Sequence, residues 1–159
     1  MHALDAILRA RSPAVALTIV VADDDPDFRE VVRYLLTAVA DTMTVLGEAP
    51  DGQKALDLVL RERPDLVITD LMMPRLNGVE LTRRIRQELP ETKIILVSSY
   101  PEDEYRLMAA DSGADAFVNK RVISDALLPA IRDVIARRLS GGSGPLPPII
   151  VCLLGLAVL

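Results

Sequence analysis

Along most of the chain, short aliphatic runs alternate with segments whose apolar residues recur at helical spacing. Leu17–Ala22 is the first run, ending against Asp23-Asp24-Asp25. Pro26 suits the first position of a helix, and Asp25 suits its N-cap. Phe28, Val31, Val32, Leu35, Leu36 and Val39 then form one apolar stripe at helical period. Thr42–Glu48 predicts a second strand, and Pro50-Asp51-Gly52 predicts a turn. Ala55, Leu56, Val59 and Leu60 mark a second helix that Pro64 ends. Leu66–Thr69 is a third strand running into Asp70, and Asn77-Gly78 is a turn before a helix from about Val79 to Leu89. Ile94–Val97 predicts a fourth strand. Asp103–Ser112 predicts a helix closing on Gly113, and Ala116–Asn119 a short fifth strand. The last helix reaches about Leu139, and Pro129 predicts that it begins late or bends.

Strands that are almost continuously aliphatic belong to parallel sheets covered on both faces. The predicted fold is therefore α/β, a doubly wound five-stranded parallel sheet with five helices and right-handed crossovers. Ligands of such sheets bind beyond the carboxyl ends of the strands. Residues 17–139 read as this domain, 1–16 as an N-terminal extension, 140–148 as a Gly/Ser/Pro linker and 149–159 as an apolar tail. Within the extension, Leu4, Ile7 and Leu8 have the spacing of a small frayed helix.

Composition narrows the function classes. The chain has 159 residues and is 50% hydrophobic, too apolar for a disordered protein. Its net charge of −5 argues against a sequence-independent nucleic-acid binder, so no direct nucleic-acid contact is expected. The single cysteine, Cys152, excludes an intrachain disulfide framework, and a reducing, cytoplasmic setting is expected. Residues 149–159 would span roughly 16 Å as a helix, about half the ~30 Å hydrocarbon thickness. Three readings of the tail stay open: weak membrane or interfacial association, packing on the domain or a second copy, and the remnant of a lost output domain. Lipidation at Cys152 is a weaker signal.

The residues just past the strands are Asp23, Asp24 and Asp25, then Asp70, then Ser98 and Ser99, and finally Lys120. Carboxylates gathered on one sheet edge repel, and a hard divalent cation relieves them. Mg²⁺ takes one or two carboxylates with waters and phosphate oxygens. His2 is the only histidine, which disfavours zinc. These strand ends carry three or four carboxylates and a hydroxyl against one ammonium, Lys120.

Asp23-Asp24-Asp25-Pro26, the run Thr69-Asp70-Leu71-Met72-Met73-Pro74-Arg75-Leu76-Asn77-Gly78, Val97-Ser98-Ser99 and Phe117-Val118-Asn119-Lys120 resemble the receiver domain of bacterial two-component response regulators. The resemblance covers roughly Leu17 to Leu139 and implies the CheY-like, flavodoxin-like strand order 2-1-3-4-5. It implies that Asp70 accepts a phosphoryl group from a sensor histidine kinase or phosphotransfer protein. It further implies a Mg²⁺ site made by Asp23, Asp24, Asp70 and the Met72 main-chain carbonyl. Lys120 and the Ser98 hydroxyl would contact phosphoryl oxygens, and Ser98 with Phe117 would form the switch. The readout surface would comprise strand four, helix four, strand five and helix five, binding a downstream protein or a second copy in a homodimer. Helix one, around Asp27, Arg29 and Arg33, would meet the kinase. Such a domain is a phosphoacceptor that promotes its own phosphotransfer, not an enzyme with an external substrate.

Where the family commonly has Lys-Pro, this chain has Lys120-Arg121, so an ordinary trans bond is expected. Ser98 replaces the commoner Thr, and Phe117 the commoner Tyr. Met72 and Tyr100 are bulky and imply slow autodephosphorylation. Two other readings stand beside this one. A Mg-dependent haloacid-dehalogenase-like phosphatase would need an acid two residues after Asp70, where Met72 stands. A phosphorylation-independent interaction module of the same fold would keep the surface without the chemistry. Flavodoxin-like FMN binding lacks a Ser/Thr-rich phosphate loop after the first strand.

Overall fold

The structure, a computed structural model, describes residues 16–139. The expectations for Leu4, Ile7 and Leu8, for the linker 140–148, and for the tail with Cys152 lie outside the described residues. Five strands, β1 (Leu17–Ala22), β2 (Met43–Ala49), β3 (Leu66–Asp70), β4 (Lys93–Ser98) and β5 (Ala116–Asn119), alternate with five α-helices. These are α1 (Pro26–Thr37), α2 (Gly52–Glu62), α3 (Gly78–Glu88), α4 (Glu102–Ser112) and α5 (Ile123–Leu139), with a short 3-10 turn at Lys120–Val122. The sheet order is β2-β1-β3-β4-β5, every neighbouring pair parallel. The α/β doubly wound fold expected from the sequence is the fold found.

Alternation along the strands explains the two layers. Ile19 and Val21 face a core shared with Phe28, Val32 and Leu36 of α1 and with Leu127, Ile131 and Val134 of α5. Val20 and Ala22 face the opposite core, made with Ala55, Leu56 and Val59 of α2, Val79, Leu81 and Ile85 of α3, and Ala109 of α4. Every residue of β3 is buried, as the central strand of a sheet covered on both sides must be. Sequence order reverses direction between β1 and β3, so the crevice between their carboxyl ends is the switch point.

Asp25 is the N-cap expected of it, and Asp51 and Asn77, read as turn residues, also cap helices. The Asp25 carboxylate accepts from the Asp27 N–H, that of Asp51 from the Lys54 N–H, and the Asn77 carbonyl from the Glu80 N–H. Gly113, at φ 89°, closes α4 in the left-handed conformation. The β1–β2 register slips between Ile19 and Val20, which leaves Leu46 as the extra residue of a bulge.

Three expectations need correcting. β2 runs from Met43 to Ala49, one residue beyond the apolar run, because pairing with β1 continues to Ala22–Ala49. Val31 is 40% exposed and leaves the apolar stripe, in which Phe28, Val32 and Leu36 are buried while Leu35 and Val39 pack against the core partly buried. α5 does not begin late: it starts at Ile123 and continues through Pro129. Proline inside a helix costs about 3 kcal/mol. Burial of Ile123, Ala126, Leu127, Ala130, Ile131, Val134 and Ile135 offsets that cost, because each large aliphatic buried contributes about 1.5–3 kcal/mol.

α2 ends with exposed Arg63 in the left-handed region at φ 48°, just before Pro64. An L-residue there costs roughly 1 kcal/mol that glycine does not incur. Arg63→Gly is therefore expected to stabilise the domain by about 0.5 kcal/mol after the entropy of the unfolded glycine is counted. Urea denaturation checks this, and a lowered midpoint would contradict it.

Candidate functional site

The carboxyl ends of β1, β3 and β5 bring one cluster together. Asp23 leaves β1 fully buried. Its N–H donates to the Ala49 carbonyl at 3.0 Å and its Oδ1 accepts the Asp25 N–H at 2.9 Å. Asp24, next along, is exposed. Asp70 ends β3 with 7% of its surface accessible. The loop after it is held close: Leu71 N–H donates to Val97 O and Gly78 N–H to Leu71 O, each at 2.8 Å. A Cβ on Gly78 would lie 2.2 Å from the Asp70 carbonyl oxygen, so only glycine fits there. Lys120, just past β5, reaches back with Nζ 2.6 Å from Asp23 Oδ2 and 3.4 Å from Asp70 Oδ2.

One carboxylate oxygen from each of Asp23, Asp24 and Asp70 lies within 4.8 Å of the others. Burial is the main reason the Asp70 pKa is pushed up to about 6; the Asp23 charge adds to it and Lys120 opposes it. Burial likewise raises Asp23, against the Lys120 ammonium and the Asp25 N–H. Asp23 Oδ2 is buried with no well-directed hydrogen-bond donor, and the Lys120 charge stands in for one. An all-oxygen set, crowded, desolvated and short of positive charge, suits a hard divalent cation such as Mg²⁺.

The other residues singled out in the sequence have distinct places. Ser98, 1% exposed, ends β4 and its Oγ accepts the Tyr100 N–H at 3.2 Å. Its strand pairs Val97 with Asp70 and Ser98 with Asn119, so it stands between the β3 and β5 site residues. Phe117 is buried in the α2–α4 core, whereas Val118 faces the α1–α5 core. The Met72 N–H lies 3.5 Å from Asp70 Oδ1, and its side chain is half exposed, as is that of Tyr100. No peptide bond among the described residues is cis, Lys120–Arg121 included.

Three supporting contacts were not legible in the sequence. The Phe28 ring, read only as a core residue, lies under the Lys120 ammonium at 4.2 Å from its centroid. Arg29, read as kinase-facing surface, donates from Nη1 to the Asp23 carbonyl at 2.5 Å and pairs with Glu48 at 3.4 Å. Arg75, given no role, pairs with Asp51 Oδ2 at 2.6 Å. Phe28 and Arg29 carried a usable signal, since both fall in the first turn of a helix that starts at the site.

Because the folded pKa of Asp70 exceeds its unfolded value, the ionised group costs stability. That cost is absent below about pH 4 and fully present above about pH 6. Without divalent cations at neutral pH, Asp70→Asn is expected to be more stable than the parent by about 3 kcal/mol. The gap should close as pH falls toward about 4. Denaturation of both proteins across this range checks it; equal or lower stability of the variant at neutral pH would contradict it.

Comparison with known proteins agrees with this geometry. Residues 19–132 match the response regulator receiver domain family. The chain is 36% identical over 116 residues to the uncharacterized transcriptional regulatory protein YxjL of Bacillus subtilis, covering 73% of this chain and 53% of that protein. It is 34% identical over 118 residues to the transcriptional regulatory protein DegU of Brevibacillus brevis, covering 74% and 50%. The chain thus spans about half the length of these curated relatives. Among solved structures, the signal receiver domain of the putative response regulator NarL from Mycobacterium tuberculosis superposes with a TM-score of 0.70. That match has 30% identity and covers 76% of this chain and 97% of that one. With the matching sheet order and the acidic strand ends already in place, this chain belongs to the response regulator receiver domain family of two-component systems.

Proposed function

We propose that the domain accepts a phosphoryl group on Asp70 from the phosphohistidine of a sensor kinase or phosphotransfer protein, and so alters a partner-binding surface. The observation that carries this reading is Asp70 at the switch point, with Lys120 Nζ at 3.4 Å and the Asp23 and Asp24 carboxylates in the same cluster. Receiver domains bind Mg²⁺ at an acidic pocket, and here Asp23, Asp24, Asp70 and the Met72 carbonyl would hold it. Bound there, the ion would neutralise carboxylates and phosphoryl oxygens together.

Phosphoryl transfer depends on positioning and charge neutralisation more than on covalent help. Asp70 supplies the attacking oxygen: an O–P bond forms, the donor's N–P bond breaks, and the imidazole nitrogen leaves with the bonding pair. Lys120 supplies a point charge for a phosphoryl oxygen. Ser98 Oγ, now accepting the Tyr100 N–H, would turn to donate to another, and Phe117 would respond to the space it leaves. Phosphorylation in this reading biases an existing equilibrium. Leu107 on α4 is 76% exposed, with Met108 and Val122 about half exposed, which supports a protein partner on the α4–β5–α5 face. Among the described residues, no helix is long and apolar enough to cross a membrane.

Acetyl phosphate with Mg²⁺ is expected to add one phosphoryl group, seen by intact-mass spectrometry, and Asp70→Ala to abolish the addition. An unmodified parent, or equal modification of the variant, would overturn the assignment. Met72 and Tyr100, each two residues past a site residue, are bulky and half-exposed, so water should reach the acyl phosphate poorly. Met72→Asn is expected to speed hydrolysis of the isolated phosphoprotein; an unchanged half-life would contradict this.

A further inference from the structure

The loop from Leu71 to Asn77 carries the Met72 carbonyl assigned above to the metal, and it is pinned at both ends. On the β3 side, Gly78 lies against the Asp70 carbonyl so closely that a Cβ would sit 2.2 Å from it. On the α2 side, the Leu76 carbonyl packs on Gly52, where a Cβ would come within 1.8 Å. Between these pins, Arg75 holds the left-handed conformation at φ 68°, one of two non-glycine residues with positive φ among those described. That conformation costs an L-residue roughly 1 kcal/mol.

The compensation is its ion pair. Arg75 Nη1 lies 2.6 Å from Asp51 Oδ2, and the Asp51 side chain is only 3% exposed. Asp51 is itself fixed, because Oδ1 caps α2 by accepting the Lys54 N–H at 2.9 Å. The guanidinium, by contrast, is largely exposed and fills no core. We propose that Arg75 is a positioning residue for the metal site: by tying the loop to the capped end of α2, it sets the direction of the Met72 carbonyl. This rests on the reading of the acidic cluster as a Mg²⁺ site.

Simple electrostatics and the latch make opposite demands. Deleting a cation near a cation site favours Mg²⁺ by Coulomb's law, whereas releasing the loop disfavours it. Calorimetric titration of the whole chain with MgCl₂ is therefore decisive. Arg75→Gln is expected to weaken Mg²⁺ binding about ten-fold, as loss of groups that orient metal ligands does. Arg75→Lys, which keeps the ion pair, should recover most of it. With acetyl phosphate, Arg75→Gln should raise the Mg²⁺ concentration needed for half-maximal rate and leave the rate at saturating Mg²⁺ unchanged. Equal or tighter Mg²⁺ binding by Arg75→Gln, or failure of Arg75→Lys to recover it, overturns the latch while leaving the metal site standing. A parent protein that binds no Mg²⁺ overturns the metal reading and this one with it.

Discussion

The site depends on one ammonium group. Lys120 stands 2.6 Å from Asp23 and 3.4 Å from Asp70, two carboxylates withdrawn from water at the end of the sheet. Without a counter-charge, two buried acids so placed would repel and take up protons. One ammonium cannot balance three carboxylates; burial above all, with the Asp23 charge added, holds the Asp70 pKa up against Lys120. In the proposed function, that shortage of positive charge would make the pocket receptive to a divalent cation and, behind it, to an anionic phosphoryl group. Stability is therefore spent at the strand ends for chemistry, while the two aliphatic layers supply the excess that keeps the fold intact.

Everything around that contact serves to hold it. The Phe28 ring lies under the Lys120 side chain from α1, and Arg29 from the same helix grips the Asp23 carbonyl while Glu48 holds Arg29. The loop after β3 is fastened by glycine contacts at both ends and by the Asp51–Arg75 pair. Asn119, just before Lys120, donates to the Tyr100 carbonyl at 3.3 Å, joining the β5 end to the β4 loop that carries Ser98.

Much of the fold was legible because aliphatic strands and amphipathic helices differ in period. The Asp triplet, Asp70, Ser98 and Lys120 were legible because each directly follows a predicted strand, so their shared edge followed from topology. Other features escaped for physical reasons. Pro129 argues locally against an early start to α5, but burial of seven side chains overrides it. Val31 matches the helical period yet turns outward, since the stripe facing the sheet is narrower than the apolar set. Asp51 and Asn77 looked like turn residues because caps and turns use the same side-chain-to-backbone hydrogen bonds. The Arg75–Asp51 pair spans 24 positions and depends on a left-handed backbone that an arginine does not advertise.

The central claim is that the Asp70 carboxylate is kept short of positive charge until a divalent cation arrives. Carboxyl-carbon NMR of Asp70, titrated with and without Mg²⁺ and assigned by Asp70→Asn, measures this directly. The account expects a midpoint near 6 without the ion and a clear fall when Mg²⁺ is present. An ordinary midpoint near 3.8, or one that Mg²⁺ leaves unmoved, would contradict it.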